Sequence, residues 1–272
     1  MVRAPLPAFF IADLHLSDDE PANVQAFLAF AAGPARQAGS LFILGDLFEY
    51  WAGDDDAGDA LNASVCAALQ ALAGHGVQVF FMRGNRDLLV GDGFAQAAGV
   101  RLLADPALVA FEGGGHCTRL LLSHGDQLCT DDLAYQAYRR QVHDAGWQAS
   151  FLAQPLDARK DFIRGLRERS EAAKRSKPMA IMDVNADAVA ALLRAHACTT
   201  LIHGHTHRPA RHRFEVDGRA CVRHVLADWQ GSASWLAFDG SEFRCGGEAA
   251  RVRTGTCGEI SSHSPTGKTS AD

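Results

Sequence analysis

Five short motifs carry most of the side chains able to do chemistry: "ADLHLS" with Asp13 and His15, "LGDLFEYW" with Asp46, "MRGNRD" with Asn85, Arg86 and Asp87, "LSHGD" with His124, and "LIHGHTHRP" with His205 and His207. Carboxylate, carboxamide oxygen and imidazole are donors for a first-row divalent cation, and none of the five motifs offers a thiolate. The seven donors Asp13, His15, Asp46, Asn85, His124, His205 and His207 are too many for one ion that must keep an open position, but they suit two ions that share a group. Such a pair polarises phosphoryl oxygens and generates a nucleophile from water near neutral pH. His205 and His207 alternate around one residue, so on an extended segment both would point the same way.

The elements that must position these groups are legible as apolar or β-branched runs: residues 8–12, 41–44, 77–82, 120–122, 199–202, 222–226 and 234–238 predict short buried strands. Helical patterns cover 22–32, 59–73 and 186–195, the first two followed by glycine. Strand and helix alternate, which predicts an α/β architecture. Every candidate donor falls just past the C-terminal end of a strand, where open α/β sheets place their sites. Taken singly, an Asp there is a turn former, Gly-Asn a turn and Gly-Asp a cap. Five coincidences of residue type and position outweigh those readings.

Composition is that of an ordinary globular protein, with 47 % apolar and 21 % charged residues over 272 positions. A net charge of -6 argues against broad electrostatic capture of nucleic acid. Seven cysteines, without a C-x-x-C, predict neither a disulfide framework nor a zinc ribbon and fit a reducing compartment. The early run Phe9-Phe10-Ile11-Ala12 is stopped by Asp13, so neither a signal peptide nor a membrane span is expected.

D-x-H, G-D, G-N-R-D, H-G-D and G-H-x-H in this order resemble the signature of the calcineurin-like metallophosphoesterases, over roughly residues 8–240. The resemblance implies a four-layer αββα sandwich of two β-sheets with a dinuclear centre at the strand ends. It also implies the pairing of ligands: Asp13, His15, Asp46 and His207 for one ion, and Asp46, Asn85, His124 and His205 for the other, with Asp46 as bridge. Manganese is the expected metal.

Longer spans, "GDLFEYWAGDDD", "MRGNRDLLVG", "SHGDQLCTDDLAYQ" and "KPMAIMDVN", resemble a narrower branch of that family. Its members split the pyrophosphate of UDP-2,3-diacylglucosamine, by water attack on the α-phosphorus, into UMP and an acylated sugar 1-phosphate on the way to lipid A. The activity expected from the resemblance is therefore that of a hydrolase at the cytoplasmic face of the inner membrane, peripheral to an acidic lipid surface. Another dinuclear phosphodiesterase or nuclease, or a silent metal-binding module, is the alternative.

Arg86 stands where many relatives carry His. Arginine does not release its proton near neutral pH, but its planar fork stabilises phosphoryl charge. A sugar phosphate leaving from a pyrophosphate needs no general acid, so Arg86 favours pyrophosphate cleavage over ester hydrolysis; a surface pairing with Asp87 is the structural alternative. Asn85, Arg86 and Asp46 are thus the expected catalytic groups.

The expected domain plan is a core of residues 1–129 and 179–243, a helical cap insertion at 130–178, and a flexible tail at 244–272. Within the insertion, Tyr135, Tyr138, Trp147, Phe151, Leu152, Leu156, Phe162 and Ile163 are candidates for packing or an acyl groove. Arg167, Ser170, Lys174 and Lys177 recur at helical spacing as one stripe, alongside Arg159, Lys160, Arg164, Arg169 and Arg175. By resemblance Ser170, Lys174 and Lys177, with Asn85, Arg86, Asp132 and His205, are substrate-binding positions. Trp51 is a candidate for the same cleft or for the core.

Overall fold

The computed structural model describes residues 1–113, 116–176, 183–247 and 259–261, with side chains described over 1–112, 117–166 and 183–247. One sheet holds six strands in the order β12-β11-β2-β3-β4-β5 and the other seven, in the order β1-β6-β7-β8-β10-β9-β13. The strands are β1 Val2–Arg3, β2 Ala8–Ile11, β3 Ser40–Leu44, β4 Gln78–Met82, β5 Arg101–Leu103, β6 Ala107–Gly113, β7 His116–Ser123, β8 Thr200–His203, β9 Ala210–Val216, β10 Arg219–Val225, β11 Ser234–Phe238, β12 Phe243–Gly247 and β13 Glu259–Ser261. The helices are α1 Pro21–Ala32, α2 Ala60–Gly74, α3 Asp92–Ala98, α4 Leu133–Val142, α5 Ala145–Leu152, α6 Leu156–Ser176 and α7 Ala186–Ala195.

Because side chains alternate along a strand, each buried strand feeds two cores. Phe9, Ile11, Leu41, Ile43, Val79 and Phe81 face α1, α2 and α3, while Phe10, Phe42, Leu44, Phe80 and Met82 face Val109, Phe111, Leu120, Leu122 and Ile202 of the second sheet. On the far side, Leu121 and Leu201 pack against Val189 and Leu193 of α7. The layers are thus helix, sheet, sheet, helix, as the resemblance implies. Trp51 is 1 % exposed and belongs to the first core, its indole N–H donating to Asp54, so it does not line a cleft.

Strands β2, β3 and β4 run parallel in one sheet, and β7 and β8 parallel in the other. Their C-terminal ends deliver the five motifs to one end of the sandwich. The expected strand at 222–226 is β10, and it forms a hairpin with the unexpected β9 through Asp217-Gly218, both at positive φ. Residues 243–247 extend past the boundary placed at 243, because β12 pairs with β11 through its backbone and needs no apolar pattern; β13 likewise adds to β9 within the stretch expected to be a tail.

Helices α4, α5 and α6 lie between β7 and α7. Trp147 stacks on Phe151 at 5.0 Å, and Phe151 meets Phe162 at 5.4 Å, so part of the apolar set packs α5 on α6. Arg159 and Lys160, two of the basic residues alongside the expected stripe, are held by acidic partners of the core. Arg159 is 2 % exposed and bonds the Ala52 carbonyl and the Asp55 carboxylate, and Lys160 reaches Asp56 at 2.6 Å. Of the expected stripe, the side chains of Arg167, Ser170 and Lys174 lie outside the described ones, and Lys177 lies outside the described residues. Cys66, Cys117, Cys129, Cys198 and Cys221 carry free thiols, whereas Cys245 is disulfide-bonded, which the cysteine pattern did not predict.

Candidate metal centre

Asp13, His15, Asp46, His205 and His207 all have φ between 51° and 68°, a left-handed backbone that non-glycine residues rarely adopt. Each costs on the order of 1 kcal/mol and persists only where surrounding contacts over-determine it. Those contacts are present. The Asp13 amide donates to Gly45, the Leu14 and His15 amides to Asp46, the Gly204 amide to His124, and the Trp229 amide to Asp13. Asp87, fully buried, accepts from the amides of Gly84 (2.7 Å), Leu47 (2.8 Å) and Asp46 (3.2 Å), which ties the β3 loop to the β4 loop. Glycine is required at Gly84, where a Cβ would collide with Asp46, and at Gly204, where it would collide with Asp13.

Two clusters of donor atoms result: Asp13, His15 and His207 in one, and Asp46, His124 and His205 in the other. His205 and His207 diverge into different clusters. The expectation that they point the same way assumed an extended segment, whereas their positive φ turns the chain between them. Asp46 lies between the clusters, with Oδ2 3.9 Å from His15 Nε2 and Oδ1 3.7 Å from His124 Nε2. Asn85 Oδ1 joins the second cluster, 3.0 Å from His124 Nε2 and 2.8 Å from His205 Nδ1.

The ring nitrogens are oriented from behind, the arrangement that fixes tautomers in metal sites. His15 Nδ1 is held by Glu49 at 2.7 Å and His124 Nδ1 by the Leu44 carbonyl at 2.8 Å, which leaves both Nε2 atoms facing the clusters. His207 Nδ1 faces Asp228 at 3.6 Å. His15 Nε2 and His207 Nε2 stand 3.3 Å apart, and two lone pairs so placed need a proton or a cation between them. Mixed oxygen and nitrogen donors around two foci fit a pair of divalent cations.

Electrostatics agree with that demand. Burial would raise the Asp13 carboxyl, but the contact with His207 and the charges of His124, His207 and His15 hold it down at about 2. Burial would lower His124, but Asp46, Asp126 and Asp13 raise it to about 9. Burial, with His124 beside it, pushes His205 down to about 4. The neighbouring carboxylates thus favour positive charge on His124. His203 is different: burial and Arg223 push it down to about 3. It bonds the Gly204 carbonyl at 2.8 Å and Arg223 at 3.2 Å, as structural support rather than as a member of either cluster.

The Arg86 guanidinium pairs with Glu49 at 3.3 Å, not with Asp87, and its amide donates to Asp46 at 2.8 Å. Asp132 caps α4, accepting from the Tyr135 amide at 3.0 Å. Sequence reading missed Glu49, Asp228 and Tyr135 as parts of the site. Glu49 sits inside the GDLFE motif and Tyr135 inside the SHGDQLCTDDLAYQ span, whereas Asp228 carries no local signal.

Residues 6–209 match the calcineurin-like phosphoesterase family. The chain belongs to that family. With two adjoining clusters of metal donors, this phosphoesterase is a metal-dependent hydrolase. It is 56 % identical over 236 residues, 87 % of this chain and 94 % of the relative, to a UDP-2,3-diacylglucosamine hydrolase of Aromatoleum aromaticum. It is 46 % identical to the protein of the same name from Chromohalobacter salexigens, over 85 % of this chain and 92 % of that one.

Proposed function

We propose that this phosphoesterase cleaves the pyrophosphate of UDP-2,3-diacylglucosamine by water attack on the α-phosphorus, giving UMP and 2,3-diacylglucosamine 1-phosphate for lipid A synthesis. The observation that carries the reading is the 56 % identity spanning 94 % of a UDP-2,3-diacylglucosamine hydrolase. Asp13, His15, Asp46 and His207 would hold one divalent cation, and Asp46, Asn85, His124 and His205 the other, with manganese as the metal. When bound, such a pair supplies Lewis-acid stabilisation of phosphoryl oxygens and acidifies a coordinated water.

Asp46 presents one carboxylate oxygen to each cluster and so sets their spacing. Arg86, held at the rim by Glu49, turns its planar fork to the phosphoryl oxygens. It keeps its proton throughout, which suits a sugar phosphate that leaves without protonation. Asn85, Arg86, Asp132, His205 and the α6 positions Arg167, Ser170 and Lys174, with Lys177, bind the substrate, and the insertion receives the acyl chains.

Among the described residues no helix is long and apolar enough to cross a membrane. A lipid substrate therefore fits a peripheral enzyme on the cytoplasmic face of the inner membrane, the basic residues of α6 meeting an acidic surface. Incubation with UDP-2,3-diacylglucosamine and Mn2+ is expected to release UMP, while bis-nitrophenyl phosphate, cyclic nucleotides and single-stranded DNA turn over slowly. Preference for one of those over an intact UDP-lipid would make the chain a different dimetal phosphodiesterase or nuclease. Bound metal without turnover on any of them would make it a metal-binding module.

A further inference from the structure

The root of the insertion reaches the metal centre through one side chain. Tyr135, in the first turn of α4, places its ring 5.8 Å from the His205 imidazole at an interplanar angle of 32°, while His124 meets His205 from another side at 5.1 Å and 67°. The phenol is not free to swing. Its hydroxyl donates to Asp126 Oδ2 at 2.9 Å, and the same oxygen accepts from Arg139 Nε at 2.7 Å, one helical turn further along α4. Asp126 is 2 % exposed and follows His124 by two residues, so one carboxylate binds the His124 loop to α4. Gln136 closes the same joint by donating to the Asp126 carbonyl at 2.9 Å and the Cys129 carbonyl at 3.1 Å.

We infer that Asp126, Tyr135 and Arg139 are positioning residues for His205: the carboxylate and guanidinium fix the phenol, and the phenol ring fixes the tilt of the imidazole. His205 needs such support because its own backbone is at φ 68° and its ring makes only one side-chain hydrogen bond among the described residues, to Asn85. The consequence is that the first turns of α4 are mechanically part of the metal centre. Groups that orient a metal-ligating imidazole shift metal affinity by about 10- to 100-fold when removed.

This rests on reading His205 as a ligand, and the test separates the two. Mn2+ is titrated calorimetrically into the metal-stripped full chain of wild type, Tyr135→Phe, Tyr135→Ala and, as a control that loosens α5 and α6 elsewhere, Phe151→Ala. Wild type is expected to take up two ions. Tyr135→Ala should weaken one of them about 10- to 100-fold and leave the other within about twofold, with Tyr135→Phe in between because it keeps the ring and loses the anchor. Phe151→Ala should lower stability and leave both affinities unchanged. Unchanged affinities in Tyr135→Ala, or equal weakening of both ions in Tyr135→Ala and Phe151→Ala, would overturn the positioning role. Fewer than two ions on wild type would instead overturn the ligand reading beneath it.

Discussion

The loops at the strand ends and the helical insertion are held by different means. The loops are fixed through the backbone: five left-handed residues, amides bonded across strands, and Asp87 gathering the amides of two loops. The insertion is fixed through side chains: Arg159 and Lys160 on the Asp55-Asp56 run, and Tyr135 and Arg139 on Asp126. It also leaves Leu133, Tyr138, Leu152 and Phe162 exposed, where the loops bury Asp13, Asp46, Asp87 and His124. The difference teaches that the loops are braced by many backbone contacts at once, while the insertion is attached by side-chain contacts that can be removed one at a time.

The comparison breaks most sharply at Asp46. Asp46→Ala is expected to drop turnover on every phosphodiester to background and to lower bound metal, with far-ultraviolet circular dichroism unchanged. Metal analysis giving two ions per chain in that variant would remove Asp46 as the bridge.

Effects in the insertion should depend on substrate. Replacing Lys174 and Lys177 together with Ala removes charge-assisted contacts of about 1.5 to 3 kcal/mol each, or roughly tenfold or more per residue in kcat/KM on the lipid. Hydrolysis of bis-nitrophenyl phosphate should be nearly unchanged, and equal losses on both substrates would tie the stripe to the metal loops instead.

Arg159→Leu tests the clasp at the other end of the insertion. Asp55 is 59 % exposed, so no buried charge is stranded; the loss is that of the hydrogen bonds, about 1 to 3 kcal/mol, read as a shift in the urea midpoint. Lipid turnover should fall more than that of the small diester.

A further effect is expected away from both regions. Burial, with Arg211 nearby, pushes His224 on β10 down to about 4. The unfolded chain binds that proton below about pH 6.5 and the native one only below about 4, so stability falls as pH drops through that window, by up to about 1.4 kcal/mol per unit. Urea midpoints of His224→Gln between pH 7 and 4 should decline less steeply than those of wild type; parallel curves would mean that the folded chain accommodates the charge.

The donor side chains were legible in the sequence because chemistry restricts them to few residue types and the sheet restricts them to strand ends. Strand β9, "ARHRFEV", was not, since its side chains are polar and only the Asp217-Gly218 turn marks the hairpin. The divergence of His205 from His207 was hidden because residue spacing says nothing about the sign of φ. Arg159 read only as one of the basic residues alongside the stripe, for the carboxylate it pairs with lies 104 positions away. Asp87 looked like a partner for its neighbour Arg86, yet the backbone amides of two loops claim it first.

The most direct test of the central claim is turnover of UDP-2,3-diacylglucosamine in oxygen-18 water. Attack at the α-phosphorus places the label in UMP and leaves the 2,3-diacylglucosamine 1-phosphate unlabelled. Label in the acylated sugar phosphate would contradict the account.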